Sequence, residues 1–279
     1  MAAVTRSQLV AALRRLGVRP GAISMVHSRM SALGWVVGGS ETVVRALLDV
    51  LGPQGTLVAY ASWEGHVYAP EDWPAEHRAA TMAEPPVFDP ATAAVDPDYG
   101  RIPERLRTWP GARRTPHPEA SVVAVGAQAA WICAAQPDDD AYGARSPFAR
   151  LVEAGGQVLM LGAPLDTVTL LHHAEAICRV PGKRRVTYTV AVSEEGGVVE
   201  RTYTDILTGP PGALDYESLG FHEDEFAVIA REALAAGAGV SGRVGEAECH
   251  LCEAAELTRF AVAWLEERFG EGGVSGNRC

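Results

Sequence analysis

At 279 residues and 47% hydrophobic content the chain is long enough to bury one large core, which excludes wholesale disorder. Its 24 lysines and arginines against 35 acids leave a net charge of −11, which speaks against nucleic acid and anionic membranes as partners and favours cationic ones. Five cysteines, odd in number and unevenly spread, make no disulfide framework; with no signal-like leader and no run of ~20 apolar residues, a soluble cytoplasmic protein is expected.

Thr5-Arg6-Ser7-Gln8 has the form of a capping box, and Leu9, Leu13 and Leu16 mark an amphipathic helix ended by Gly17 and Arg19-Pro20-Gly21. A strand over 22–27 follows. The stretch 28–39 lacks clean periodicity and carries Gly34, Gly38 and Gly39; Ser40 then reads as the cap of a helix whose buried side is Val43, Val44, Leu47, Leu48 and Leu51. With a second strand over 56–61, this is a βαβ unit and predicts two parallel strands.

From 62 to about 105 the pattern dissolves into Trp63, Trp73, acids and many prolines, a loop-rich insertion of the length that is usually functional. A short helix is predicted over 103–108 and a strand over 120–125. Gln157 to Leu161, apolar and flanked by glycines, reads as a buried strand; Asp166 reads as the cap of a helix over 167–180, which Pro181-Gly182 ends. Two strands over 185–192 and 198–204 form a hairpin around Glu194-Glu195-Gly196-Gly197. A helix over 221–236, a strand over 244–251 and a closing helix over 253–269 complete a single α/β domain without internal repeats.

Chemistry concentrates in two places. His172 and Glu175, three apart, share one helix face just past a buried strand, where α/β proteins place general bases; on spacing alone an ordinary helix-surface pair is an equal reading. His173 lies about 100° further round the helix and reads as a packing residue, while Thr169 stands one turn before His172. The second place is 27–39, glycine-rich and opening a helix. Its backbone N–H groups suit an anion, though it is neither a Walker A loop nor a G-x-G-x-x-G fingerprint and a structural turn explains it as well. Cys249, His250 and Cys252 alternate across a strand and cannot all face one metal, so no metal is expected there. Cys178 reads as a small buried hydrophobe.

The chain resembles the aminoglycoside 3-N-acetyltransferase family, nearly end to end. The resemblance rests on Val26-His27-Ser28 with Gly34-Trp35-Val36-Val37-Gly38-Gly39, Phe88-Asp89-Pro90, Gly100-Arg101-Ile102-Pro103-Glu104, His117-Pro118 with Ser121, and Ser146-Pro147. It continues through 158–162 leading to Thr169, His172, Ala174 and Glu175, and ends in Gly242-Arg243-Val244-Gly245-Glu246-Ala247. It implies a layered α/β sandwich around a central mixed sheet, unlike the larger N-acetyltransferase superfamily, whose signature is missing. The implied reaction moves an acetyl group from acetyl-CoA to the 3-amino group of a 2-deoxystreptamine aminoglycoside, in a monomer or homodimer and with no metal.

By the same resemblance His172 is the catalytic base and Glu175 its acid partner. The CoA-contacting segment falls on His27, Ser28, Arg29, Met30, Ser31, Gly34, Trp35, Val36, Val37 and Gly38, joined by Thr115, His117 and Ala163; Arg29-Met30 replaces the usual serine-rich version. A polycationic substrate gives the acids a use: Glu64, Asp205, Glu223 and Asp224 are candidates, with Trp63 as a sugar-stacking surface and Asp166 and Thr169 beside the base. The helix of His172 is expected to meet the 34–39 loop across a cleft covered by the tryptophan-containing loop. Rival readings are a metal-dependent hydrolase using His172, Glu175 and His66 or His117, a non-catalytic CoA-binding module, and an acetyltransferase for another amine.

Overall fold

The computed structural model describes residues 3–65, 73–134 and 136–270. In chain order the elements are β1 Ala3–Val4, α1 Arg6–Leu16, β2 Ile23–Ser28, β3 Trp35–Val36, α2 Gly39–Leu51, β4 Thr56–Tyr60, α3 Ala75–Ala83, β5 Val87–Phe88, α4 Arg101–Arg107, β6 Arg113–Arg114 and β7 Val122–Gly126. There follow α5 Ala129–Ile132, α6 Pro147–Glu153, β8 Gln157–Leu161, α7 Leu170–Ile177, β9 Arg185–Glu194, β10 Gly197–Ile206, α8 Glu225–Ala235, β11 Gly239–Val244, β12 Ala247–Glu253 and α9 Ala254–Phe269.

The centre is a seven-stranded sheet of order β11-β12-β8-β2-β4-β7-β6. Its middle three strands are parallel, as the βαβ reading requires: Met25 lies in register with Val58 on one side and Val158 on the other. The flanks β12 and β7 run antiparallel to their neighbours. Period-two alternation sends successive side chains to opposite faces. Met25, Val58, Val158 and Met160 therefore join one core with α6, α7 and α9, while Val26, Leu57, Leu159 and Leu161 join a second with α1, α2 and α4. With both faces covered, each of these side chains contributes roughly 1.5–3 kcal/mol by leaving water. A smaller cluster seats Trp63 and Phe88 on the β9–β10 hairpin through Tyr188 and Tyr203.

Several element ends differ from the sequence reading for local reasons. The Thr5 capping box forms as expected, Gln8 Oε1 accepting from the Thr5 N–H at 2.8 Å. Ser40 is not the cap of α2. Gly38 occupies that place at φ 79°, where a Cβ would lie 2.4 Å from Thr42 Oγ1. Asp166 is not a cap either. Residues 165–167 make a separate 3-10 turn, in which Thr167 Oγ1 donates to the Pro164 carbonyl at 2.7 Å, and α7 begins only at Leu170. In α8 the first turn starts at Glu225 and Asp224 is the cap, accepting from the Phe226 N–H at 2.8 Å. The single strand read over 244–251 is the tip and return of a hairpin, with Gly245 at φ 60° turning the chain. Helix α3 lies inside the 62–105 stretch; it buries no residue, so it leaves no apolar stripe to read.

Candidate active site

The carboxyl ends of β2, β4 and β8 open at one edge of the sheet, the edge at which parallel α/β sheets offer their crevice. Ser28, Tyr60 and, just past β8, Ala163 lie there, and α7 departs from the same edge. Because β7 is antiparallel to β4, with Tyr60 opposite Val122, the residue arriving at this edge on that side is Glu119, just before β7 begins. These ends, together with 97–103, 208–209 and Phe226, enclose a cavity of about 820 Å³.

His172 stands on its wall. Its Nδ1 lies 2.7 Å from Glu175 Oε2, and the other carboxylate oxygen, Oε1, accepts a 2.6 Å hydrogen bond from the Tyr216 hydroxyl. Glu175 is 2% exposed, so an ionised carboxylate there depends on these two donors. Nδ1 is thereby engaged, which leaves Nε2 as the ring nitrogen open to the cavity. The imidazole is held edge-on to Tyr142 and against Phe226, with ring centroids 5.3 and 4.6 Å away. Burial and the Glu175 carboxylate both raise the Tyr216 ionisation, which keeps its hydroxyl a donor. His173 turns inward, as the helical offset predicts, and its Nδ1 donates to the Tyr142 carbonyl at 2.6 Å. Cys178 is buried, its thiol pushed up by that burial, and it donates to the Glu175 carbonyl at 3.3 Å.

The neighbouring wall is polar and incompletely paired. His27 is 9% exposed, and burial lowers its pKa to about 4, so the ring is neutral at neutral pH. Its Nε2 and Ser28 Oγ are buried without a hydrogen-bond partner among the described residues. Glu119 Oε1 accepts from Thr208 Oγ1 at 3.2 Å, while Oε2 is buried with no partner among those residues. Burial raises the Glu119 carboxyl, and Asp205 adds to the rise. Behind Glu119, His117 Nδ1 accepts the Ala120 N–H at 2.9 Å, which turns Nε2 toward Asp205 Oδ2, 3.2 Å away. The Tyr60 hydroxyl fixes the same segment by donating to the Glu119 carbonyl at 2.8 Å.

Of the residues singled out from sequence, His27, Ser28, Arg29, Met30, Ser31, Ala163, Asp166, Thr169 and His172 all line this cavity. The half-segment from Gly34 to Gly38 does not. Gly34, at φ 82°, turns the chain away against Glu246; Val36 pairs with Val4; and Trp35, 63% exposed, faces solvent with Val37. The helix of His172 thus meets 27–31 across the cleft, not 34–39. Thr115 and His117 are buried behind the lining, Thr115 Oγ1 accepting from the Val122 N–H at 3.0 Å.

The acids chosen for a cationic substrate lie elsewhere for identifiable reasons. Asp205 is enclosed by the Ala141 N–H, the Tyr188 hydroxyl and His117; Glu223 pairs with Arg231; Asp224 caps α8; Glu64 is exposed outside the lining. Trp63 is buried against Phe88, 5.4 Å between centroids. His66 lies outside the described residues. The tryptophan-containing stretch reaches the cavity through Asp98, Tyr99 and Arg101 instead. Tyr60, Glu119, Thr208, Phe226 and Tyr216 escaped the sequence reading. Only Glu119 left a signal, its place between Pro118 and the strand predicted over 120–125.

No group of three or more His, Cys, Asp or Glu side chains among the described residues is arranged to hold a metal, and no helix among them is long and apolar enough to cross a membrane. Comparison with known proteins adds sequence-wide likeness to this geometry. Residues 25–266 match the family model described as aminoglycoside 3-N-acetyltransferase. Aminoglycoside N(3)-acetyltransferase VIII of Streptomyces fradiae is 49% identical over 271 residues, which cover 96% of this chain and 93% of the relative. Among solved structures, aminoglycoside acetyltransferase AAC(3)-Xa superposes with a TM-score of 0.90 at 47% identity, covering 96% of this chain and 94% of its own. The binary complex of AAC-IIIb with CoASH superposes at 0.86 with 43% identity, covering 96% and 98%. On this likeness over nearly its whole length, the chain belongs to the aminoglycoside 3-N-acetyltransferase family of enzymes.

Proposed function

We propose that this chain, acting in the cytoplasm, transfers an acetyl group from acetyl-CoA to the 3-amino group of a 2-deoxystreptamine aminoglycoside, with His172 as general base and no covalent enzyme intermediate. The observation that carries the proposal is the buried Tyr216–Glu175–His172 chain, which ends at a ring nitrogen open to a cavity of about 820 Å³. The CoASH complex of a 43%-identical neighbour supports the choice of donor.

The residues present fit a CoA thioester. Ser28 Oγ and the His27 ring nitrogen Nε2 are buried polar atoms with no protein partner among the described residues, and Arg29 and Arg101 supply cations suited to phosphates. Gly100, at φ 84°, brings the backbone so close to the 27–31 segment that a Cβ would lie 3.2 Å from the Ser28 carbonyl oxygen. Ser28 to Ser31 and Ala163 to Thr167 would hold the cosubstrate, whose thioester supplies an activated acyl group.

The acceptor amine is mostly an ammonium in water and has no lone pair to offer until it loses a proton. His172 takes that proton at Nε2. Glu175, already hydrogen-bonded to Nδ1, fixes the productive tautomer and stabilises the imidazolium while remaining ionised, and Tyr216 holds the carboxylate against rotation. The amine nitrogen then forms the new bond to the acyl carbon, the carbon–sulfur bond breaks and the nitrogen sheds its second proton; of the two protons lost by the ammonium, one neutralises the departing thiolate and the other leaves to solvent by way of Nε2. Base catalysis of this kind is worth about 10²–10⁴-fold. Cys178 is not needed as an acyl carrier, because its thiol is buried and biased toward the protonated form. The experiment is incubation with acetyl-CoA and a panel of aminoglycosides, following CoA release and product mass. Acetylation at the 3-amino group is expected; no acetylated product from any of them would refute the proposal.

A further inference from the structure

His172 and His173 are neighbours on α7, yet only the first lines the cavity. His173 turns into the core, where burial lowers its pKa and keeps the ring neutral. A carbonyl can only accept, so the proton of that ring is on Nδ1, which donates to the Tyr142 carbonyl at 2.6 Å. Tyr142 lies in the 136–146 segment, which contains no helix or strand, and no ladder of backbone bonds fixes its place. Side chains do so instead. Asp205 Oδ1 accepts the preceding N–H, that of Ala141, at 2.8 Å, and Phe148 stacks on the Tyr142 ring at 5.3 Å between centroids. The Tyr60 hydroxyl, itself donating to the Glu119 carbonyl, accepts from the Tyr142 hydroxyl at 2.9 Å.

The ring pinned in this way comes back to the base. Tyr142 stands edge-on to the His172 imidazole at 5.3 Å, and Phe226 meets the same imidazole at 4.6 Å. Glu175 holds the imidazole at Nδ1 alone. One hydrogen bond fixes a point and not a plane, so by itself it leaves Nε2 free to swing. Two aromatic rings packed on the imidazole remove that freedom, and proton transfer needs it removed, because reacting groups must be held within about 0.5 Å of their productive places. Resting on the reaction proposed above, we propose that His173 is a positioning residue: by holding the Tyr142 carbonyl it sets the Tyr142 ring against His172 and so aims Nε2 at the acceptor amine. The helix that carries the base carries, one residue on, the anchor of the base's own clamp. A leucine would fill the same space in the core, but it has no N–H to give.

The test compares the wild type with His173→Leu, which lacks the donor, His173→Asn, whose side-chain amide restores one, Tyr142→Leu, and the double variant of the two leucine changes. Steady-state kinetics with acetyl-CoA and an aminoglycoside give one readout, and nitrogen NMR of the His172 ring, which needs no substrate, gives the other. Misplacing the base predicts a kcat on the order of tenfold lower in His173→Leu and in Tyr142→Leu with the KM for acetyl-CoA unchanged, recovery to within about threefold in His173→Asn, and no further loss in the double variant. The wild-type ring is expected to show a single Nδ1–H tautomer, blurred in His173→Leu and restored in His173→Asn. A kcat within about twofold of wild type in His173→Leu, a lower kcat with the His172 ring signals unchanged, or losses that multiply in the double variant overturns the inference. Should His173→Leu fail to fold, the other two single variants decide: altered ring signals in Tyr142→Leu with wild-type signals in His173→Asn support the clamp, and unaltered signals in Tyr142→Leu overturn it. Absence of acetylated product from the wild type refutes the reaction proposed above and leaves the ring spectra as a test of the clamp on their own.

Discussion

The hydroxyl of Tyr216 donates to Glu175 Oε1 at 2.6 Å across 41 positions of sequence, so the carboxylate that orients His172 is itself oriented from a separate 3-10 turn. Glu175 sits in a helix, but one of its two oxygens answers to a different part of the chain. Tyr216→Phe leaves that oxygen buried without a donor, at a cost of about 1–3 kcal/mol. Urea denaturation should show a loss of stability in this range, and steady-state kinetics a kcat reduced about tenfold with the KM for acetyl-CoA unchanged. Unaltered kcat would mean that Glu175 alone suffices to hold the ring.

His172→Ala is expected to lower kcat by about 10²–10⁴-fold, the worth of a general base, while acetyl-CoA still binds. Cys178→Ala is expected to keep activity within about twofold. A Cys178→Ala protein that binds both substrates but transfers nothing would revive a covalent route.

Acid stability should carry the mark of His27. Its pKa is lowered from the ordinary 6.5 to about 4 by burial, so between those values the unfolded chain binds a proton that the folded one refuses. Full stability is therefore present above pH 6.5 and is lost as pH falls toward 4, by an amount on the order of 3 kcal/mol. Denaturant midpoints of wild type and His27→Asn across pH 4 to 7 check this, since the variant should show a flatter profile. Parallel profiles would remove His27 as the cause.

A chain of net charge −11 whose cavity wall includes Asp98, Glu119 and Asp166 should draw in a polycation by its field. The aminoglycoside kcat/KM should fall as salt rises through ~0.15 M, where charges are screened beyond about 8 Å. A flat salt response would limit these acids to contact roles.

The parallel centre of the fold was legible in the sequence because β2, β4 and β8 are buried almost throughout, and two of them, over 56–60 and 157–161, read as short, mostly apolar runs that follow a glycine. The pairing of His172 with Glu175 was legible for a similarly local reason, a spacing of three within one helix. Residues that reach the cavity by topology were not. Tyr216 and Thr208 stand in irregular stretches, and what places them is packing of the 207–220 segment on α7 and α9, which no short-range pattern encodes. Gly34 to Gly38 differ in the opposite sense: a glycine-rich loop before a helix resembles a cradle, but Gly34 turns it toward Glu246 and it lies outside the cavity lining. Acids chosen by composition fared worst, since a cap such as Asp224 and a buried partner such as Asp205 look like surface carboxylates until their donors are known.

The reversed direction of β7 has one further consequence. Glu119 is delivered by a chain entering the sheet, whereas Ser28, Tyr60 and Ala163 are delivered by chains leaving it, and His172 rides on the helix that follows the last of these. The two walls of the cavity are thus inherited through different stretches of polypeptide. Replacement of the 113–121 stretch would exchange Glu119 and its neighbours while leaving every member of the Tyr216–Glu175–His172 hydrogen-bonded chain in place.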